Sequence, residues 1–132
     1  MRYVLDTTVV IDHVYGYRPA ADLLDRLFAE TGDIYTCAVV TCEALSKGDD
    51  FDLATKRALL DALEYVELAP ADARWAAGQR QGRAQSTRRV PSTTDALIAA
   101  LAHSLGATVV TRNAKDFAAF DVPVLGYGEG TD

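Results

Sequence analysis

The sequence predicts one parallel, doubly wound α/β domain, and three observations carry that prediction. Short β-favouring apolar runs alternate with longer stretches of helical periodicity about five times over, the order that builds a parallel sheet with helical crossovers. The strand-like runs, such as Tyr3-Val-Leu5 and Ala107-Thr-Val-Val-Thr111, are near-continuously apolar, as buried parallel strands are. The length, 132 residues, suits a single domain spanning residues 1–132 with one substantial core.

Tyr3-Val-Leu5 reads as the first strand and ends at Asp6. In an open α/β sheet ligands bind beyond the strand carboxyl ends, so Asp6 stands at a ligand edge; it is equally well placed to N-cap a helix starting near Thr7. Asp12 to Tyr17 reads as a loop carrying His13, Tyr15 and Tyr17. Pro19 then opens a helix with Leu23, Leu24, Leu27 and Phe28 on one face and Gly32 as its C-cap. Ile34 to Cys37 is the second strand, followed by a helix from Ala38 to Ser46 that carries Glu43 among apolar neighbours.

Phe51 to Tyr65 gives a further amphipathic helix, and Val66-Glu-Leu68 a short strand. Pro70 starts a helix containing Trp75, which Gly78 and Gly82 weaken, so that it ends between Gly82 and Ser86. Ser92-Thr-Thr-Asp95 matches the capping-box pattern at the head of a helix running through Ile98, Leu101 and Leu105 to Gly106. Ala107 to Thr111 is the next strand. Asn113 and Asp116 again have capping-box spacing, Val122 to Leu125 is the last strand, and residues 126–132 read as a loose glycine-rich tail.

Composition narrows the class. Apolar residues at 49% and charged residues at 24% are those of an ordinary folded domain. No apolar run approaches the ~18 residues of a membrane span, and the N-terminus has no signal-peptide pattern, so a cytoplasmic protein without a membrane partner is expected. Cys37 and Cys42 lack zinc-site spacing and are too few for a disulfide framework. The formal charge of −6 disfavours a polyanion partner on average, but its distribution does not. Ala73 to Thr94 is a stretch of 22 residues with no acid and five arginines: Arg74, Arg80, Arg83, Arg88 and Arg89. Setting those five aside leaves 8 basic against 19 acidic residues, a net of −11. The arginine segment is therefore a candidate phosphate contact, and equally an exposed helix end that happens to be basic.

Asp6 and Asp116 follow strand ends, and Glu43 and Asp95 lie early in helices that begin after a strand or loop. In a parallel sheet three of those positions share one edge by connectivity alone, and Glu43 joins them if its helix faces inward. Each acid alone has a structural explanation as a cap or a solvated side chain; four on one edge is harder to explain so. Clustered carboxylates raise one another's pKa unless a cation neutralises them. An oxygen-only set with no converging His or Cys points to Mg²⁺ or Mn²⁺, and arginines beside it point to phosphodiester hydrolysis.

Four stretches carry a resemblance to the PIN-domain ribonucleases, most closely the VapC-type toxins of bacterial toxin–antitoxin pairs. They are Val4-Leu-Asp-Thr-Thr-Val-Val-Ile11, the helix carrying Glu43, Asp95-Ala-Leu-Ile-Ala-Ala100, and Thr108-Val-Val-Thr-Arg-Asn-Ala-Lys-Asp-Phe117. The resemblance implies a three-layer α/β/α domain around a mostly parallel five-stranded sheet, Mg²⁺-dependent endoribonuclease activity with Mn²⁺ as a substitute, a homodimer, and a VapB-type antitoxin that occludes the site. It places Asp6 and Asp95 at the principal metal positions, Glu43 at the second acid and Asp116 at the fourth. Thr111 and Asn113 support them, Thr111 by a hydrogen bond to the metal's shell or to an acid, and Asn113 as an alternative to Asp116 in supplying an oxygen. Two departures stand out: Thr8, where many relatives have Asn, and Cys37, where Ser is common. A phosphoryl-transfer domain of the haloacid-dehalogenase kind is disfavoured because Thr8 stands where a second Asp is needed. A non-catalytic RNA- or partner-binding domain, with all four acids as caps, remains the alternative.

Overall fold

The computed structural model describes residues 1–30, 32–85 and 90–128, with residues 83–85 described by their backbone only. Five strands, Tyr3–Leu5 (β1), Ile34–Thr36 (β2), Glu64–Tyr65 (β3), Thr108–Thr111 (β4) and Val124–Gly126 (β5), form one sheet in the order β3-β2-β1-β4-β5. Every pairing is parallel. The chain lays down β1, moves outward to β2 and β3, then returns to the other side of β1 for β4 and β5. Right-handed crossovers therefore put the helices before β3 on one face and those after it on the other. That yields the expected three layers.

The first helical layer comprises Thr7–Val14 (α1), Arg18–Glu30 (α2), Ala38–Leu45 (α3) and Asp50–Asp61 (α4). The second comprises Pro70–Gln85 (α5), Thr93–Leu105 (α6) and Ala114–Phe117 (α7). Between them lie the buried β1 and β4 side chains Val4, Leu5, Val109 and Val110, with Val9 and Val10 from α1, Leu27 from α2, and Ile98 and Leu101 from α6. Each such side chain contributes on the order of 1.5–3 kcal/mol by leaving water. α6 stops where Gly106 takes a left-handed conformation, φ 62°, and its N–H closes the last turn on Ala102 and His103. Chain reversal into β4 follows at once.

Several elements differ from their sequence expectation. Asp12 and His13 belong to α1 rather than to a loop; Asp12 is buried and Tyr17 N–H donates to its carbonyl at 2.9 Å. The third strand is Glu64–Tyr65, not Val66 to Leu68, and α4 ends earlier, at Asp61. Apolarity misplaced it: Val66 and Leu68 pack on the core, whereas the ladder is set by register against Tyr35 and Thr36. Phe28 is more exposed than its helical face suggested. Asn113 makes no side-chain cap bond, its backbone at φ −105°, ψ 61° lying outside cap geometry. The tail is ordered further than expected, because Gly126 closes β5 and Tyr127 is buried; residues 129–132 lie outside the described residues.

Candidate active site

β1 and β4 are neighbours at the point where strand order reverses, and in doubly wound sheets that crevice is where ligands bind. Asp6 follows β1 and Thr111 ends β4, so the switch point itself carries the first contact. Thr111 Oγ1 donates to Asp6 Oδ2 at 2.8 Å, and Thr8 Oγ1 donates to the same oxygen at 2.9 Å. The Thr7 backbone N–H donates to Oδ1 at 2.8 Å, making Asp6 the N-cap of α1 as well. Backbone amides of the turn after β4 fix the hydroxyl directions. Arg112 N–H donates to Thr8 Oγ1 at 3.2 Å and Asn113 N–H to Thr111 Oγ1 at 3.0 Å, leaving each hydroxyl proton for Asp6. Asn113 therefore supports the site through its main chain.

Glu43 reaches the same region from α3. Thr7 Oγ1 donates to Glu43 Oε1 at 2.7 Å, so α1 holds Asp6 at its cap and Glu43 through its first residue. The rest of Glu43 is exposed. Asp95 enters from the head of α6, where Ser92 Oγ accepts the Asp95 N–H at 3.1 Å. The expected cap is present, but it engages the Asp95 main chain. Asp95 and Asp116 both line a cleft of about 170 Å³, together with Pro91, Ser92, Lys115 and Ala119.

The charges of the other three acids are felt at Asp95. Asp95 is pushed up from 3.8 to about 6, first by burial, then by the charge of Asp6, with Asp116 and Glu43 adding to it against a hydrogen bond from Ser92. Asp6 is also raised: burial outweighs the three hydrogen bonds it accepts, and Glu43 adds repulsion. Among the described residues none of the four acids is in an ion pair; Arg112 pairs with Asp12, at 3.2 Å. Nor, among the described residues, do three Asp, Glu, His or Cys side chains close into a ready-made ligand cluster. A loose ring of carboxylates at one edge suits a cation that keeps several waters and takes one or two carboxylates directly, which is the habit of Mg²⁺. The all-oxygen donor set fits that ion and not a thiophilic one.

The arginines divide. Arg80 Nε donates to Pro91 O at 3.0 Å, so this side chain clasps the segment entering α6 instead of lying free for a ligand. Arg74 is exposed on α5, which packs along α6 with Trp75 stacked on His103 at 4.6 Å. The Arg83 side chain, Arg88 and Arg89 lie outside the described residues. Tyr15 is exposed, whereas Tyr17 lies under Arg112, whose guanidinium carbon sits 4.3 Å from the ring centroid.

A group beside the acids had no sequence expectation. Buried Asp12 accepts the Tyr127 hydroxyl at 2.8 Å and the Arg112 guanidinium at 3.2 Å. Burial, then the bond to Asp12 and its charge, push the Tyr127 hydroxyl well above its ordinary value. Arg112 thus ties the end of β4 to α1 twice, by side chain to Asp12 and by backbone to Thr8. The signal for these residues was weak: Asp12 looked like a loop acid and Tyr127 part of a tail.

The chain belongs to the PIN-domain family, whose family model matches residues 3–123. Within that class it is similar to ribonuclease VapC19 of Mycobacterium tuberculosis, 31% identical over 117 residues that cover 89% of this chain and 93% of the relative. Among solved structures it resembles VapBC2 of Rickettsia felis bound to a promoter DNA fragment, with a TM-score of 0.83, 21% identity, and coverage of 97% of this chain and 100% of the other. It also resembles VapBC-5 of Mycobacterium tuberculosis, a toxin–antitoxin system, with a TM-score of 0.66, 25% identity, and coverage of 95% and 98%. No helix among the described residues is long and apolar enough to cross a membrane.

Proposed function

We propose that this protein is a VapC-type endoribonuclease toxin, dependent on Mg²⁺, that hydrolyses RNA phosphodiesters at the edge holding Asp6, Glu43, Asp95 and Asp116. One observation carries the proposal: the charges of Asp6, Asp116 and Glu43 all raise half-buried Asp95, and none of the four acids is in an ion pair among the described residues. Four caps would not need that arrangement. The 31% identity to a ribonuclease supports the activity, and the VapBC relatives support a VapB-type antitoxin as partner; a homodimer is the assembly that the family resemblance implies.

Asp6 and Asp95 are the residues that would hold the ion, with Glu43 and Asp116 at the sides. A bound Mg²⁺ supplies an acidified water and neutralises charge on the phosphoryl oxygens. The chain's own share is to hold ligands still. Thr8 and Thr111 occupy Asp6 Oδ2 with two donated protons and the Thr7 N–H takes one site of Oδ1, which fixes the carboxylate plane and leaves one of its about four acceptor sites, on Oδ1, for the ion. Glu43 or Asp116 orients the attacking water, and Arg74, exposed on α5, is the arginine of that segment that the described residues leave as a candidate phosphate contact. The test is RNA cleavage with and without Mg²⁺ by the wild-type chain and by Asp6→Ala and Asp95→Ala. Cleavage that needs the ion and vanishes in both variants while circular dichroism stays unchanged is expected. Full activity in either variant refutes the site.

A further inference from the structure

We propose that a second cavity, of about 360 Å³ at the carboxyl ends of β2 and β3, is a nucleobase subsite that reads one RNA base close to the cleaved phosphate. This rests on the ribonuclease activity proposed above. The cavity is larger than the cleft at Asp95 and Asp116, and neither of those acids lines it.

Its floor and mouth come from paired strand ends. Thr36 and Tyr65 are register partners across β2 and β3, so their side chains project from the same face of the sheet. Thr36 is only 2% exposed, and its Oγ1 has no hydrogen-bond partner among the described residues. A buried hydroxyl in that state carries a standing cost, which a ligand with a polar edge relieves. Tyr65 is 54% exposed, an aromatic face at the rim where a base can stack. Leucine side chains including Leu60 wall the space.

The charges at the rim select the ligand. Arg57 and Asp61 stand one turn apart on α4 and supply a donor and an acceptor together. A phosphate wants donors only, whereas the edge of a base wants both. The Asp61 carboxylate accepts from an exocyclic amino group, so the base expected here is guanine, adenine or cytosine in preference to uracil.

Position connects the cavity to the acids. Thr41 and Leu45 line it from α3, while Glu43 lies about 200° around the same helix from Thr41, on the side of Thr7. One helix, roughly 10 Å across, separates the two places. A single strand of RNA laid along the carboxyl edge of the sheet, with a phosphate at Asp6, passes over the cavity with a neighbouring base.

The experiment has two arms. Asp6→Asn protein, which leaves RNA uncut, is titrated with short labelled oligoribonucleotides that differ at one base, and Thr36→Val, Asp61→Ala and Tyr65→Ala are then added singly. In parallel, cleavage sites are mapped for the same three single variants with Asp6 intact. The expected result is a preference for an amino-bearing base at one position. Thr36→Val and Asp61→Ala flatten that preference by roughly tenfold. Tyr65→Ala weakens binding of all the RNAs by roughly tenfold. An unchanged base preference in Thr36→Val and Asp61→Ala, or undiminished binding by Tyr65→Ala, overturns the subsite. So does a loss confined to inhibition by a co-expressed antitoxin, which assigns the cavity to a protein side chain. If wild-type protein cuts no RNA, the nuclease reading fails by itself, and the titration still decides whether the cavity reads a base.

Discussion

Asp95→Asn should make the metal-free protein more stable at neutral pH while removing its activity. The sign follows from proton linkage. The Asp95 carboxyl is raised from 3.8 to about 6, so the folded state binds its proton more tightly than the unfolded chain does. Its ionisation therefore costs nothing below about pH 4, costs progressively more as pH rises through the window from 3.8 to about 6, and costs the full amount above it. At about 1.4 kcal/mol per unit, a shift of roughly two units sets a ceiling near 3 kcal/mol. Two effects reduce it. Asp95 is half-buried, so solvent screens part of the repulsion. A negative charge in the first turn of α6 is itself favoured by about 0.3–1 kcal/mol, which asparagine forfeits. A net gain of about 1–2 kcal/mol remains, or several degrees in Tm for a domain of this size. The Ser92 cap survives because it engages the Asp95 N–H. The assay is thermal melting of wild type and variant with EDTA at pH 4 and pH 7.5. The difference should be present at pH 7.5 and nearly absent at pH 4. A variant less stable than wild type at both pH values would make Asp95 a structural cap and refute the electrostatic account of the site.

Adding Mg²⁺ or Mn²⁺ at pH 7.5 should raise the Tm of wild type by an amount that grows with ion concentration, and Asp6→Asn should abolish most of that rise; a concentration-independent Tm would exclude a metal at these acids. Thr111→Val keeps the buried volume but removes the hydroxyl between the Asn113 N–H and Asp6, so stability should fall by about 1–3 kcal/mol and cleavage should fall with it, read by denaturant melts and initial rates. Tyr127→Phe leaves buried Asp12 with Arg112 as its remaining side-chain donor among the described residues and should cost about 1–3 kcal/mol, with the base preference in cleavage mapping unchanged.

The part of the site legible in the sequence was the part that connectivity dictates. A parallel sheet sends all strand carboxyl ends to one edge, so residues just past the strand ends meet whatever lies between them in the chain. Asp6 and Asp116 were placed on that ground, and Asp95, whose carboxyl both of them raise, by standing at the head of the helix that precedes β4. Glu43 needed its helix to face inward, which the Thr7 hydroxyl shows it does in part. Interactions between residues with no such topological reason to meet were hidden. Asp12 and Tyr127 are 115 positions apart and join only because β5 ends beside α1. A glycine at 128 lets that junction close, since a Cβ there would run into the Tyr17 ring. The two-residue strand β3 was misplaced for a related reason. Glu64 and Tyr65 are exposed and owe their strand conformation to a neighbouring ladder, whereas pattern reasoning favours the apolar pair beside them.

The sequence offered a choice at Asp6 and Asp95 between helix cap and site acid, and the two roles do not exclude one another, for a physical reason. A cap consumes one oxygen lone pair or one N–H, whereas a carboxylate has about four acceptor sites. Asp6 gives Oδ1 to the Thr7 N–H and Oδ2 to two hydroxyls, and it still lies close enough to Asp95 to raise it. At α6 the roles are divided between residues: Ser92 accepts the Asp95 N–H, so the Asp95 carboxylate is left to meet Asp6 and Asp116. Capping residues are thus suited to this edge. Helix starts that follow parallel strands must be capped there, and the side chains that cap them stand where the sheet gathers its ligands.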